Sequence, residues 1–229
     1  MRISIFLYCI LTTTVLISSC AKELDNHSAP SATISGNVMD AVTAKPFQTE
    51  QPNGIKIRLL EQSYNNPTPF DFWTKPDGSF ENADLYPGKY KVVAIEGAFF
   101  PADTLLVDLG AASTANFNVT PFLTVNMTAS NSANGLILKY QIARTRVGDK
   151  ISETKSLASV YPSVSNIVNE MSVVHNLSAI SDDYALATQY SDTLRGVVSG
   201  NTYYTRVAAR TNNANNKYNY SPVVSVKVP

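Results

Sequence analysis

Cysteine is nearly absent: the two in the chain, Cys9 and Cys20, both fall in its first twenty residues. The remaining two hundred or so residues therefore have no disulfide, no thiol nucleophile and no cysteine metal site, so their fold must rest on apolar burial. Histidine is equally scarce, with His27 and His175 far apart and neither at ligand spacing from a partner. Charged residues make up only 16% of the chain, with 18 basic and 18 acidic side chains. A nucleic-acid-binding surface calls for a basic face, which this balance does not supply. No window carries the 3.6-residue apolar period of a long amphipathic helix, and no apolar run after the first twenty residues is long enough to span a bilayer.

The opening segment, MRISIFLYCILTTTVLISSC, joins a basic Arg2 to an apolar stretch that ends in Ser18 and Ser19. This is the layout of a signal peptide over residues 1–19, shorter than a membrane-spanning helix. Ile17, Ser18, Ser19 and Cys20 resemble the lipobox of bacterial lipoproteins, in which two small residues fit the peptidase and the cysteine sulfur accepts diacylglycerol. That resemblance implies lipidation at Cys20. The alternative is an ordinary secretory signal ending beside a cysteine. Removal of the signal takes Arg2 with it and leaves a net charge of minus one. Residues 20–32 lack periodicity and read as a flexible, lipidated tether. Glu23 and Asp25 resemble the acidic signal that sends lipoproteins of Bacteroidetes to the outer face of the outer membrane, with Lys22 interrupting it. The expected location is therefore the outer membrane, lipid-anchored and facing the exterior.

From residue 33 onward the pattern has period two, rich in β-branched residues and punctuated by Gly, Pro, Asn and Asp. Strands are predicted at 33–39, 54–61, 70–73, 79–82, 89–96, 104–108 and 114–119, a spacing that points to a sandwich. Asp77-Gly78 supplies a positive-φ hairpin turn, and Pro87-Gly88 reverses the chain. The strings Ile34-Ser35-Gly36-Asn37-Val38, Thr74-Lys75-Pro76-Asp77-Gly78-Ser79-Phe80 and Leu85-Tyr86-Pro87-Gly88-Lys89-Tyr90 resemble the transthyretin-like regulatory domain of carboxypeptidases. This assigns 33–120 to one β-sandwich.

Pro121 marks the expected junction. A second series of strands is predicted at 123–129, 135–144, 160–164, 172–177, 192–198, 202–210 and 223–228. The run 194–210 resembles the end of a fibronectin type III domain, with Tyr203 in the place of the corner tyrosine, although no Trp stands near 139–142. The fold class expected is thus all-β: two consecutive sandwiches, 33–120 and 121–229, after a lipoprotein signal. The whole arrangement resembles uncharacterised two-domain lipoproteins of Bacteroidetes found beside SusD-like glycan-binding proteins. Such proteins work at the cell surface in loci for polysaccharide uptake.

No constellation for catalysis emerges, so the sequence reads as a non-enzyme without a cofactor or metal. Asp182, Asp183 and Asp192 form the one acidic cluster, expected to be a solvated loop. Aromatics are the more informative class, because sugars stack on exposed rings while amides bond their hydroxyls. Trp73 should point away from a core-facing Phe70 and Phe72, toward solvent or the second domain. The loop 211–220, TNNANNKYNY, has the Asn and Tyr content of an adaptable binding surface. Trp73, Tyr218, Tyr220, Asn215 and Asn216 are accordingly the candidate ligand contacts. Two functions fit: an accessory glycan-binding protein, or a structural or adhesive scaffold that binds a protein such as a SusD-like partner.

Overall fold

A computed structural model describes residues 28–229. The signal peptide, Cys20 and the tether as far as His27 lie outside the described residues. Two β-sandwiches follow one another, with one short helix in the second.

The first sandwich uses β1 (Ala32–Asp40), β2 (Lys45–Pro46), β3 (Lys56–Glu61), β4 (Phe70–Trp73), β5 (Ser79–Leu85), β6 (Gly88–Ile95), β7 (Leu105–Leu109), β8 (Ala112–Thr114) and β9 (Phe117–Val119). One sheet runs β2-β1-β5, and β8 and β9 pair with β1 in parallel; the other runs β4-β3-β6-β7. Alternation drives the packing. In β1 the side chains of Ala32, Ile34 and Val38 turn inward, and they meet Ile57, Leu59, Val92 and Phe117 in one core. Period two thus buries one face of each sheet against the other. The hairpin turn at Gly78 has φ 75°, a conformation an L side chain rarely adopts, and Gly78 N donates to Lys75 O.

The second sandwich uses β10 (Thr124–Ser132), β11 (Gly135–Ala143), β12 (Ile151–Ser159), β13 (Met171–Asn176), α1 (Asp182–Ala187), β14 (Tyr190–Leu194), β15 (Thr202–Thr211), β16 (Asn219–Tyr220) and β17 (Val224–Lys227). Its sheets run β10-β11-β14 and β13-β12-β15-β16, with β17 on β15. Leu136, Leu138, Ile142, Ile151 and Val207 fill the space between them. Tyr203 is 3% exposed, and its hydroxyl accepts from Val198 N, five residues upstream. A Tyr203→Phe substitution should cost about 1 kcal/mol, since it orphans that amide, and a chemical melt reads the loss.

The predicted strand at 160–164 does not form; the strand lies one segment earlier, in β12. Its sequence, ISETKSLAS, hides the alternation because polar side chains point into the core. Thr154 Oγ1 lies 2.8 Å from the Tyr140 hydroxyl, and Ser156 Oγ donates to Asp192 Oδ2 at 2.6 Å. Asp192, expected in a solvated cluster, is instead 5% exposed on β14, with His175 Nε2 2.7 Å from its other oxygen. Nor is Asp182 free in solvent. Burial works against its ionisation, but Lys150, the Ile151 amide and Arg144 bond it and hold its carboxyl below the ordinary range. In the core near 139–142, where no Trp stands, Tyr140 stacks on Tyr190 with centroids 4.8 Å apart.

Candidate functional site

The two sandwiches are joined by polar anchors. Residues 47–53, between β2 and β3, lie against the outer face of the second sandwich, beside β15 and β16. That face is covered rather than wet. Arg206, at the middle of β15, is 2% exposed, and Thr205 through Ala209 are buried on both faces of the strand. Its Nη1 donates to Thr49 O at 3.0 Å and Val164 O at 3.2 Å, and its Nε donates to Ser221 O at 3.2 Å. The guanidinium lies 4.2 Å from the Tyr220 ring centroid. Burial pushes its pKa down to about 10, against the pull of Tyr220 and Glu50, so it stays charged at neutral pH. Glu50, itself 7% exposed, accepts from the Tyr220 hydroxyl at 2.6 Å. Burial first, then Glu50, raises the Tyr220 phenol well above its ordinary value.

A second anchor is Asn219, whose amide bridges the junction. Its Nδ2 donates to Ala98 O at 2.7 Å in the first sandwich, while its Oδ1 accepts from Leu123 N at 2.9 Å. Lys217 completes the set by donating to Asn53 O at 2.6 Å. Burial lowers the Lys217 pKa, an effect opposed by Glu50 and Glu96.

These contacts settle where the expected ligand residues lie. Tyr218 and Tyr220 are each only 6% exposed and form a small core with Leu157, Val164 and Ala208. Neither ring offers a face to a sugar, so the expectation that they stack on ligand is corrected. For Tyr220 the physical reason is the first sandwich, whose segment 47–53 brings Glu50 to its hydroxyl. Tyr218 instead bonds Glu153 and receives Lys155 and Arg210 against its ring at 5.3 and 5.0 Å.

Trp73, at the end of β4, is half-buried and does turn toward the second sandwich. The ammonium groups of Lys56 and Lys217 each lie 4.9 Å from its ring centroid. Lys56 is in turn paired with Glu96 at 2.5 Å. Phe70 departs from the expected pattern: it is 47% exposed, while Phe72 packs on the core. Asn215 and Asn216 are exposed at the tip of the loop before β16. The loop is held from within by Asn213, whose side chain donates to Thr211 O and Lys217 O and accepts from Lys217 N. Asn216 takes a left-handed φ of 52°, which asparagine tolerates better than most residues.

Glu96 and Asn215 share a groove at the junction. This depression, ≈ 480 Å³ in volume, is also lined by Gly97, Phe100, Phe122 and Asp149. Phe100 and Phe122 meet edge to face at 5.0 Å, and Arg146 of the second sandwich lies 4.4 Å from the Phe100 ring. The groove thus has aromatic walls, two carboxylates and an amide; Trp73 lies outside the lining, its ring contacted by Lys56, whose partner Glu96 does line it. Such a set accepts and donates hydrogen bonds to hydroxyls and presents carbon faces to apolar ones. Among the described residues, no group of three or more His, Cys, Asp or Glu side chains is placed to hold a metal ion. Sequence reading missed Glu96, Phe100 and Asp149. The first two lie where β6 ends and Asp149 in a loop of no marked composition, so only the folding of one sandwich on the other brings them together.

Residues 32–120 match the family described as protein of unknown function (DUF3823), N-terminal domain. Among solved structures, a DUF3823 family protein from Bacteroides uniformis is similar over 87% of this chain and 100% of its own, with 22% identity and a TM-score of 0.76. A candidate carbohydrate binding protein from the same species shows 20% identity and a TM-score of 0.74 over the same shares. A third, a DUF3823 family protein from Parabacteroides merdae, shows 23% identity and a TM-score of 0.73, again with those coverages. At these identities the likeness is one of fold, and it extends through both sandwiches. No curated protein matches the chain. Neither the fold nor these similar proteins are of a known catalytic type.

Proposed function

We propose that this chain is a non-catalytic, lipid-anchored surface protein of the DUF3823 family that binds a polysaccharide in the groove between its two sandwiches. The observation that carries the reading is the groove itself, where Glu96, Asp149 and Asn215 converge beside aromatic walls in ≈ 480 Å³. Sugars present alternating hydroxyl edges and CH faces, and this lining complements both. Asn216, next to Asn215 in the same exposed loop, and Trp73, whose ring is contacted by Lys217 of that loop, would extend the contact beyond the lining, and the buried Tyr218 and Tyr220 fix the loop that carries Asn215. The name of one structurally similar protein, a candidate carbohydrate binder, agrees with this reading. Through Cys20 the protein is held at the outer membrane, facing outward, as an accessory of a polysaccharide-uptake system with a SusD-like neighbour as partner.

The test is substitution on a retained polysaccharide. Trp73→Ala and the paired change Asn215→Ala with Asn216→Ala should each weaken binding about tenfold, equivalent to roughly 1.4 kcal/mol at a contact that matters. Isothermal titration measures it. Unchanged affinity in both variants would remove the groove from the account.

A further inference from the structure

The end of the first sandwich at which the chain emerges differs from the rest of its surface. Ser31 N donates to Leu85 O and Thr33 N to Ala111 O, so the chain enters beside the β5–β6 and β7–β8 turns, at the opposite end of β1 from its pairing with β9. Two large aromatic side chains stand exposed at this end: Tyr86, 45% exposed, in the β5–β6 turn, and Tyr64, 66% exposed, in the loop after β3. Both neighbour Tyr90. Its hydroxyl donates to Tyr86 O at 2.9 Å, and its phenol is pushed up by burial first, then by Glu61 and Tyr64. A shallow depression of ≈ 440 Å³ adjoins them, lined by Gln62, Lys89, Lys91, Leu106 and Asp108. Leu106 is 77% exposed and sits opposite Lys91 across the β6–β7 pair.

We propose that this end, through Tyr64, Tyr86 and Leu106 with Lys89 and Lys91 around them, rests on the lipid bilayer to which the chain is anchored. The inference depends on the proposed lipid at Cys20. From Cys20 to Ser28 is eight residues, which span at most about 29 Å when fully extended. The aromatic end is therefore the part of the fold that such a short leash keeps nearest the bilayer. Tyrosine is favoured at the level of lipid headgroups because its ring is apolar and its hydroxyl wet. Lysine stems lie along apolar surface while the ammonium reaches phosphate. A leucine left exposed opposite Lys91 gains burial in the same setting. Docking here would point the groove between the sandwiches away from the membrane, toward polysaccharide arriving from outside.

Phospholipids brominated on the upper acyl chain quench tryptophan only at short range, near the depth of the bromines, which gives the test. Trp73 is the only tryptophan, so a Trp73→Phe background makes single reporters of Tyr64→Trp, Tyr86→Trp and, at the β10–β11 turn of the second sandwich, Ala133→Trp. The full lipidated protein is reconstituted into vesicles of phosphatidylethanolamine and phosphatidylglycerol containing brominated phosphatidylcholine, and flotation is scored in parallel. The expected result is flotation with about twofold loss of emission at positions 64 and 86 and little change at 133, matching side chains seated roughly 5–10 Å into the interface. Flotation without quenching at 64 or 86 overturns the docking and leaves the anchor standing. Failure to float overturns both. Unquenched reporters, together with weaker polysaccharide binding by the Tyr64→Ala, Tyr86→Ala variant, would assign these rings to sugar instead.

Discussion

Arg206→Ala should lower the stability of the protein by about 3 kcal/mol or more, because a buried cation that serves carbonyls from both sandwiches has no substitute. Three acceptors lose their donor at once: Thr49 O, Val164 O and Ser221 O. Glu50 would keep its hydrogen bond from Tyr220 and the ammonium of Lys217 at 3.9 Å, but lose the second positive charge that offsets its burial. In a chain of this length a loss of that size lowers the melting temperature by roughly 10 °C if the two sandwiches melt together. Arg206→Lys should recover only part of it, since one ammonium cannot reproduce the planar fork. The pH dependence follows from sign. Burial pushes the folded pKa down to about 10, below the ordinary arginine range, so the unfolded chain binds more protons only above about pH 10. The deficit of the alanine variant should thus be flat from about pH 6 to pH 9. Thermal melts at several pH values check this. A variant that melts within about 2 °C of the parent would mean that the junction holds without its central cation.

Gly36→Ala should be of comparable severity, and for a different reason. β1 is paired on both sides at this point. Gly36 is aligned with Phe80 on β5, and on its other side β8 and β9 pair with β1 before and after it, leaving Ala115 directly alongside. A Cβ at position 36 would stand 1.8 Å from Ala115 O and 2.7 Å from Phe80 Cζ. The ring can rotate away at modest cost, but the carbonyl belongs to a backbone that is itself bonded to β1 through Ala115 N and Ser35 O. Relief requires displacing the strand crossing, so we expect a loss of about 3 kcal/mol, at the upper end for overpacking. Urea titration of the parent and variant measures the difference. Equal midpoints would show that the β8–β9 segment shifts freely, contrary to the packing described.

Much of this architecture was legible in the sequence, and the exceptions share a cause. Strands such as β6 and β11 announce themselves because apolar and polar side chains alternate with one face toward a core. β12 does not, since Thr154 and Ser156 point inward to Tyr140 and Asp192, and hydrogen bonding there replaces apolar contact. The helix α1 is only six residues long and leaves no periodic trace, although its Ser181 cap and the acids Asp182 and Asp183 at its start are ordinary signals. For the candidate site, Trp73, Asn215 and Asn216 stood out by residue type. Tyr218 and Tyr220 were misplaced because period two reports which face a side chain occupies and not whether a neighbouring domain covers that face. Arg206 carried the opposite signal, a charge inside the run Thr205 to Ala209 where both faces are buried. A lone arginine in such a run is the mark of a buried junction, which alternation alone does not reveal.

The central claim is that the chain holds polysaccharide between its sandwiches without transforming it. Affinity electrophoresis of residues 21–229 through gels cast with a panel of plant, fungal and bacterial polysaccharides tests this most directly. The account predicts retardation by at least one of them, with the polysaccharide recovered at its original length and the retardation lost on Trp73→Ala with Asn215→Ala. Migration unaffected by every polysaccharide in the panel, or retardation that persists in that double variant, would contradict it.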